Sequence, residues 1–214
     1  MKRIQIQNKD EWKTFILQEA RYPIPNECYG GLCVDAGCNI GDFEMNNKNR
    51  FDKYVCFDVF DENIQECIKN TSNLNLNIEI NKNAVWSSSG LKIDVMAYKS
   101  SNSEELNHFG NSGNVGCVKL VGDEGQGWIT ENTIDLVETI SLEDIIKKYG
   151  KINLLKVDVE GSEYEFLLGK DLTQVNYIVG EFHFSENQKE ELTSWIEKTH
   201  TKVGDCIFIS KNIL

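Results

Sequence analysis

The chain has 214 residues, 40% of them hydrophobic and 26% charged, which is enough for one domain with a sizeable core and too few for two comfortable ones. Its 34 acidic and 22 basic side chains give a net charge of −12, the wrong sign for a general binder of phosphate backbones. No apolar run approaches the roughly 20 residues of a membrane span, and the basic opening MKRIQIQ has no apolar segment of a secretory signal, so the expectation is a cytoplasmic single domain over 1–214 with no nucleic-acid partner.

In chain order, residues 1–26 read as a flank. Trp12, Phe15, Ile16 and Leu17 suit a short amphipathic helix, and RYPIPNE, with both prolines of the chain, suits an extended connector. The core, 27–214, then alternates. GLCVDAG, YVCFDVF and IEINKNAVW are short apolar runs that read as strands, with a helix in DENIQECIKNTS between the second and third. Residues 91–140 break the rhythm: LKIDVMAY and TIDLVETI alternate like half-exposed strands around turn-rich segments, an antiparallel excursion or a flexible cap. The alternation resumes with helix SLEDIIKKYG, strand INLLKVDV, short helix SEYEFLLG, strand NYIVGEFHF, helix SENQKEELTSWIEKTH and closing strand DCIFIS. Strand, helix, strand in repetition is the pattern of right-handed parallel crossovers, an α/β fold with a largely parallel sheet flanked by helices.

The 7 cysteines lie at 28, 33, 38, 56, 67, 117 and 206 with no Cys-x-x-Cys pair, and most read as small buried apolar groups. His108 and His200 have no recognisable partners and read as surface residues.

Chemistry concentrates in two places. The first strand ends in VDAGCNIGDF, where Gly37 and Gly41 let the chain turn sharply and let a ligand approach the backbone, and Asp35 supplies an acceptor. Taken alone this is equally a plain strand-to-helix turn. The second strand ends in CFD, placing Asp58 about 20 positions beyond Gly37, where an acid meets ribose hydroxyls in nucleotide-binding folds. An NAD fold would carry a second glycine where Asn39 stands; an acid before the turn suits a cationic sulfonium, which favours S-adenosylmethionine.

The second place is VDVEGSEYE, behind the buried run INLLK. Asp158 ends that strand, and Glu181 and His183, two apart on the next strand, project from one face if the strand is regular. Parallel neighbours bring all three to the carboxyl edge of the sheet. An alcohol needs a base or a Lewis acid to become a nucleophile, and His183 is the first choice of base, with a hydrogen-bonded structural histidine as the alternative. Asp158, Glu181 and His183 are also a candidate set for Mg²⁺ or Mn²⁺. Glu160, before Gly161, is assigned to the donor's amino group or to substrate hydroxyls, and Glu181 to the substrate. Glu163 and Glu165 fall in the first turn of a helix, where the dipole alone accounts for acids.

VDAGCNIGDF, CFDVFDEN, NAVWSSSG, VETISLEDII, LLKVDVEGSEYEFLLG and IVGEFHFS, in that order, resemble the FkbM-type S-adenosylmethionine-dependent methyltransferases across residues 32–185. The resemblance implies a class I methyltransferase (Rossmann-like) fold and methyl transfer to a hydroxyl oxygen of a sugar, glycan or glycosylated metabolite. It makes Asp35, Gly37, Asn39 and Gly41 the methionine-side loop, Asp58 the ribose acid, and Asn83 with Ala84 the neighbours of adenine. The family usually has Glu-Pro where this chain has Asp58 and Val59. The competing readings are an NAD-linked oxidoreductase of related fold and a non-catalytic nucleotide-binding module.

Overall fold

The computed structural model describes residues 22–97, 118–120, 133–159, 161–183 and 185–214. The expected helix before Arg21, much of the turn-rich stretch between 98 and 132, and Glu160 lie outside these.

Eleven strands and five helices follow one another among the described residues: β1 (Leu32–Ala36), α1 (Asp42–Asn46), β2 (Lys53–Asp58), α2 (Asp61–Thr71), β3 (Ile78–Lys82), β4 (Ala84–Val85), β5 (Lys92–Ala97), β6 (Val118–Leu120), β7 (Thr133–Ile140), α3 (Leu142–Tyr149), β8 (Ile152–Val157), α4 (Glu163–Leu167), β9 (Val175–Gly180), α5 (Glu186–Ile196), β10 (His200–Gly204) and β11 (Ile207–Ser210). One sheet has the order β10-β11-β9-β8-β1-β2-β3. β3, β2, β1, β8 and β9 run parallel, and β11 is antiparallel to β9 and to β10. A second sheet, β4-β7-β5-β6, is the excursion. It is antiparallel where β5 meets β6 and β7, as expected.

Every residue of β1 is buried, because helices cover both faces. Alternate residues serve the two layers. Val34, Val55, Phe57, Leu155 and Ile178 pack with Ile145 of α3, Phe166 of α4, and Leu192 and Ile196 of α5. Cys33, Tyr54, Cys56, Leu154 and Val179 face the other way, onto Phe43 of α1, Cys67 of α2 and Cys28. α2 buries Asn63, Cys67 and Thr71, one stripe at i, i+4 and i+8, and has acids in its first turn and Lys69 in its last. α5 opens with a capping box of Ser185 and Gln188.

Three boundaries differ from the sequence reading. IEINKNAVW is not one strand: the chain leaves the large sheet after Lys82, and Ala84–Val85 pairs with β7 instead. NYIVGEFHF stops pairing at Gly180, so Glu181 and His183 lie just beyond the strand. The closing strand has a partner, β10, in the polar stretch His200–Gly204, where apolar alternation is too weak to signal it. His200 is not a surface residue: it is fully buried, with Nε2 on the Val175 carbonyl at 3.0 Å and Nδ1 on Thr199 Oγ1 at 2.8 Å. The described cysteines are free, and Cys28, Cys33, Cys38, Cys56 and Cys67 are buried.

β1 and β8 are neighbours whose onward connections leave in opposite directions, toward β2 and toward β9. At such a switch point the loops diverge at the carboxyl ends and leave a crevice, the place where open α/β sheets take ligands. Both chemical stretches of the sequence end there.

Candidate functional site

The glycine turn forms one wall. Gly37, Asn39 and Gly41 all have positive φ, at 86°, 48° and 82°. Gly37 is irreplaceable on a second count: a Cβ there would sit 1.8 Å from the Asp158 carbonyl oxygen, so the turn after β1 and the end of β8 touch backbone to backbone. The Gly37 and Cys38 amides both donate to the Phe57 carbonyl, at 2.9 and 3.1 Å, which ties the turn to the end of β2.

Asp58 completes that tie. Its Oδ2 accepts from the Asn39 amide at 2.9 Å, while Oδ1 accepts from the Val59 and Phe60 amides and from Asn63 Nδ2 at 2.8, 3.0 and 3.2 Å. The acid thus anchors the turn and the start of α2 together. It is 8% exposed, and burial pushes its pKa up to about 7 against the pull of these donors. Oδ2 keeps one lone pair for a further donor. Asn83 follows β3 beside it, with its amide on the Asp58 carbonyl at 3.1 Å and its side chain on the Glu138 carbonyl at 3.1 Å. Ala84 is buried in β4.

Asp35 departs from the expectation. It is fully buried, lies on the Cys33 side of β1, and pairs across strands with Lys156 in register. Lys156 Nζ stands 2.9 Å from Asp35 Oδ1 and donates to the Gly37 carbonyl at 2.6 Å. A carboxylate so placed holds the turn from beneath and does not face a ligand across it. Burial opposes the charge on Lys156, but Asp35, Tyr22 and Asp158 more than offset it and keep its pKa well above the ordinary value. Glu44 of α1 is also fully buried; burial, then the Asp35 charge, lifts its pKa well above the ordinary range. Tyr22 lies over this group: its hydroxyl donates to Asp158 Oδ2, and Lys156 Nζ is 5.3 Å from its ring centre.

The other wall gathers acids and a histidine from three segments. Asp158 follows β8, its amide on the Ala36 carbonyl at 3.0 Å. Glu163 begins α4 and is fully buried, which the helix dipole does not explain. Its Oε1 accepts from the Val159 amide at 3.1 Å and meets His183 Nδ1 at 3.0 Å, and its Oε2 accepts from the Gly161 amide at 3.1 Å. His183 Nδ1 is 3.8 Å from Asp158 Oδ1, and its Nε2 is 3.4 Å from Glu181 Oε2. Phe182, between them, is buried and stacks on Phe208 at 6.2 Å, which turns Glu181 and His183 to the opposite side.

The expected cation set therefore changes by one member. Asp158, Glu163 and His183 offer ligand atoms within 4.8 Å of one another, whereas Glu181 lies on the far nitrogen of the ring, its side chain 63% exposed. Lys156, Glu163 and Tyr22 carry much of the site, and the sequence reading did not assign them to it. A lysine inside the apolar run INLLKV is the one signal that pointed there, since a cation on a buried strand needs a partner.

The arrangement has a glycine turn at the switch point, an acid at the nucleotide distance, and a titratable cluster across the crevice. A family model described as Methyltransferase FkbM domain matches residues 34–203, a span that includes Asp35, Gly37, Asp58, Asp158, Glu163 and His183. No curated protein matches. Among solved structures the chain is similar to a methyltransferase FkbM from Methylobacillus flagellatus KT, at 14% identity and a TM-score of 0.49, over 83% of this chain and 43% of that one. It is also similar to M. capricolum TrmK in complex with the natural cofactor product S-adenosylhomocysteine, at 11% identity and a TM-score of 0.43, over 97% of this chain and 70% of that one. The chain thus spans less than half the length of the first of these structures. Among the described residues no helix is long and apolar enough to cross a membrane.

Proposed function

The chain belongs to the FkbM methyltransferase family, and we propose from that premise that it moves the methyl group of S-adenosylmethionine to a hydroxyl oxygen of a sugar, glycan or glycosylated metabolite. The observation that carries the reading is the meeting of the Gly37 turn and Asp158 at the switch point, inside the matched span. The donor's methionine end lies along Gly37, Asn39 and Gly41, its ribose takes the open lone pair of Asp58 Oδ2, and its adenine lies toward Asn83 and Ala84. Asn39 in place of a second glycine, with no basic group on the turn, supports a sulfonium donor over a pyrophosphate one.

The acceptor hydroxyl stands across the crevice, where Asp158 and His183 take part in removing its proton and the exposed Glu181 holds a neighbouring hydroxyl. The net charge of −12 weighs against a nucleic-acid acceptor. The free buried cysteines are in keeping with a cytoplasmic setting.

Calorimetric titration with S-adenosylmethionine and with NAD, followed by transfer of labelled methyl to a glycan panel, tests this. We expect saturable S-adenosylmethionine binding that Asp58→Ala weakens and His183→Ala leaves intact, with transfer lost in His183→Ala. Binding of NAD in preference to S-adenosylmethionine, or wild-type transfer by His183→Ala, would overturn the assignment.

A further inference from the structure

We infer that Asp158, Glu163 and His183 form a binding site for one divalent first-row cation, with Mn²⁺ the best match, on the acceptor side of the crevice. The binding site stands on its own geometry; its role in catalysis rests on the methyl-transfer reading above.

The three donors are close enough to converge on one ion: one pair is already in hydrogen-bond contact, and Asp158 would draw inward on binding. Donor atoms about 2.0–2.2 Å from one centre stand roughly 3 Å apart, and His183 Nδ1 lies 3.0 Å from Glu163 Oε1 and 3.8 Å from Asp158 Oδ1. Each donor comes from a separate segment and is held independently. The Val159 and Gly161 amides fix the Glu163 carboxylate, Tyr22 fixes the other oxygen of Asp158, and Phe182 anchors the segment carrying His183.

Two further observations point to a cation. Among the described residues Asp158 Oδ1 has no hydrogen-bond partner and is shielded from solvent although its side chain is 23% exposed, and at 3.8 Å the histidine is too far to supply a bond. An orphaned carboxylate oxygen is among the costlier things to bury, and a metal bond would satisfy it. Glu181 also faces the ring nitrogen on the far side, at 3.4 Å. A carboxylate behind a histidine is the usual arrangement around a metal-bound imidazole, fixing the tautomer and raising the basicity of the ligand nitrogen. With carboxylates at both ring nitrogens, His183 offers no free nitrogen to an alcohol unless Glu181 swings away, so it suits a ligand better than a lone general base.

Lys156 cannot serve instead, because it is engaged with Asp35 and the Gly37 carbonyl. Two carboxylates and an imidazole mix hard oxygen with nitrogen, which Mn²⁺ accepts more readily than Mg²⁺. Within the proposed reaction such an ion acidifies the acceptor hydroxyl. The O–H bond breaks and its proton leaves to solvent; the oxygen pair forms the bond to the methyl carbon; the C–S bond breaks and its pair stays on sulfur, which becomes a neutral thioether.

The test is titration of chelator-treated full-length protein with MnCl₂, reading free Mn²⁺ by electron paramagnetic resonance, with MgCl₂ and ZnCl₂ as competing arms. We expect one saturable site, lost in Glu163→Gln and in His183→Ala. We expect Glu181→Gln, an exposed change that leaves the fold intact, to weaken binding roughly 10-fold or more. A wild-type protein that binds S-adenosylmethionine but none of the three ions overturns the site and leaves the methyl-transfer reading standing. An ion bound by a protein that neither binds nor uses S-adenosylmethionine supports the site and overturns that reading.

Discussion

Lys156 illustrates how one buried side chain on a neighbouring strand holds the glycine turn. It neutralises Asp35 and caps the Gly37 carbonyl, so the glycine turn is supported from inside the sheet. Removing one partner of a buried pair leaves an uncompensated charge, which costs about 3–5 kcal/mol. We therefore expect Lys156→Met to lose about that much stability in urea denaturation, and Asp35→Asn with Lys156→Met to lose less than the two single changes summed. Single-variant losses within about 0.5 kcal/mol of wild type would mean the pair is slack and the turn is held elsewhere. At this scale the sequence revealed the turn, because glycines and Asn39 mark positive φ locally. It could not reveal the Lys156–Gly37 or Glu163–His183 contacts, which join residues far apart in the chain. Glu163 was misread because an acid in the first turn of a helix has a sufficient local explanation. Only its complete burial exposes the second role.

Among the elements, α1 is short and docks through a buried acid, which is unusual for a helix at the foot of a ligand turn. Among the described residues Glu44 has no ion-pair partner, and Cys56 Sγ lies 3.1 Å from its Oε1. Its folded pKa is raised above the ordinary 4.5, first by burial and then by the Asp35 charge. A raised value means the folded state holds the proton more tightly, so this stabilisation is complete below the unfolded pKa and is lost as pH rises through the folded one. We expect wild-type stability to fall as pH rises from near 4.5 toward neutrality and beyond, and Glu44→Gln, a mimic of the protonated acid, to flatten that slope. Thermal melts across the range check this; parallel wild-type and variant curves would show that Glu44 ionises freely. Elements with strong periodicity or caps, such as α2, α3 and α5, were legible. The break between β3 and β4 was missed: three polar residues in a row, Asn81, Lys82 and Asn83, interrupt the alternation of IEINKNAVW, and pairing shows that the chain changes sheets there.

For the whole molecule, the alternation of apolar runs and amphipathic stretches was enough to expect a largely parallel sheet with an antiparallel excursion. It was not enough to give strand order. That order decides the function, because the crevice exists only where β1 and β8 are neighbours with diverging connections. Everything proposed for the donor follows from this junction: Gly37 meets Asp158 there, Asp58 lies one strand away, and His183 one strand to the other side. A crystal structure with S-adenosylhomocysteine tests it most directly. The account predicts the sulfur in the crevice between the Gly37 turn and the Asp158–His183 wall, with ribose hydroxyls at Asp58 Oδ2. A ligand seated anywhere else would contradict it.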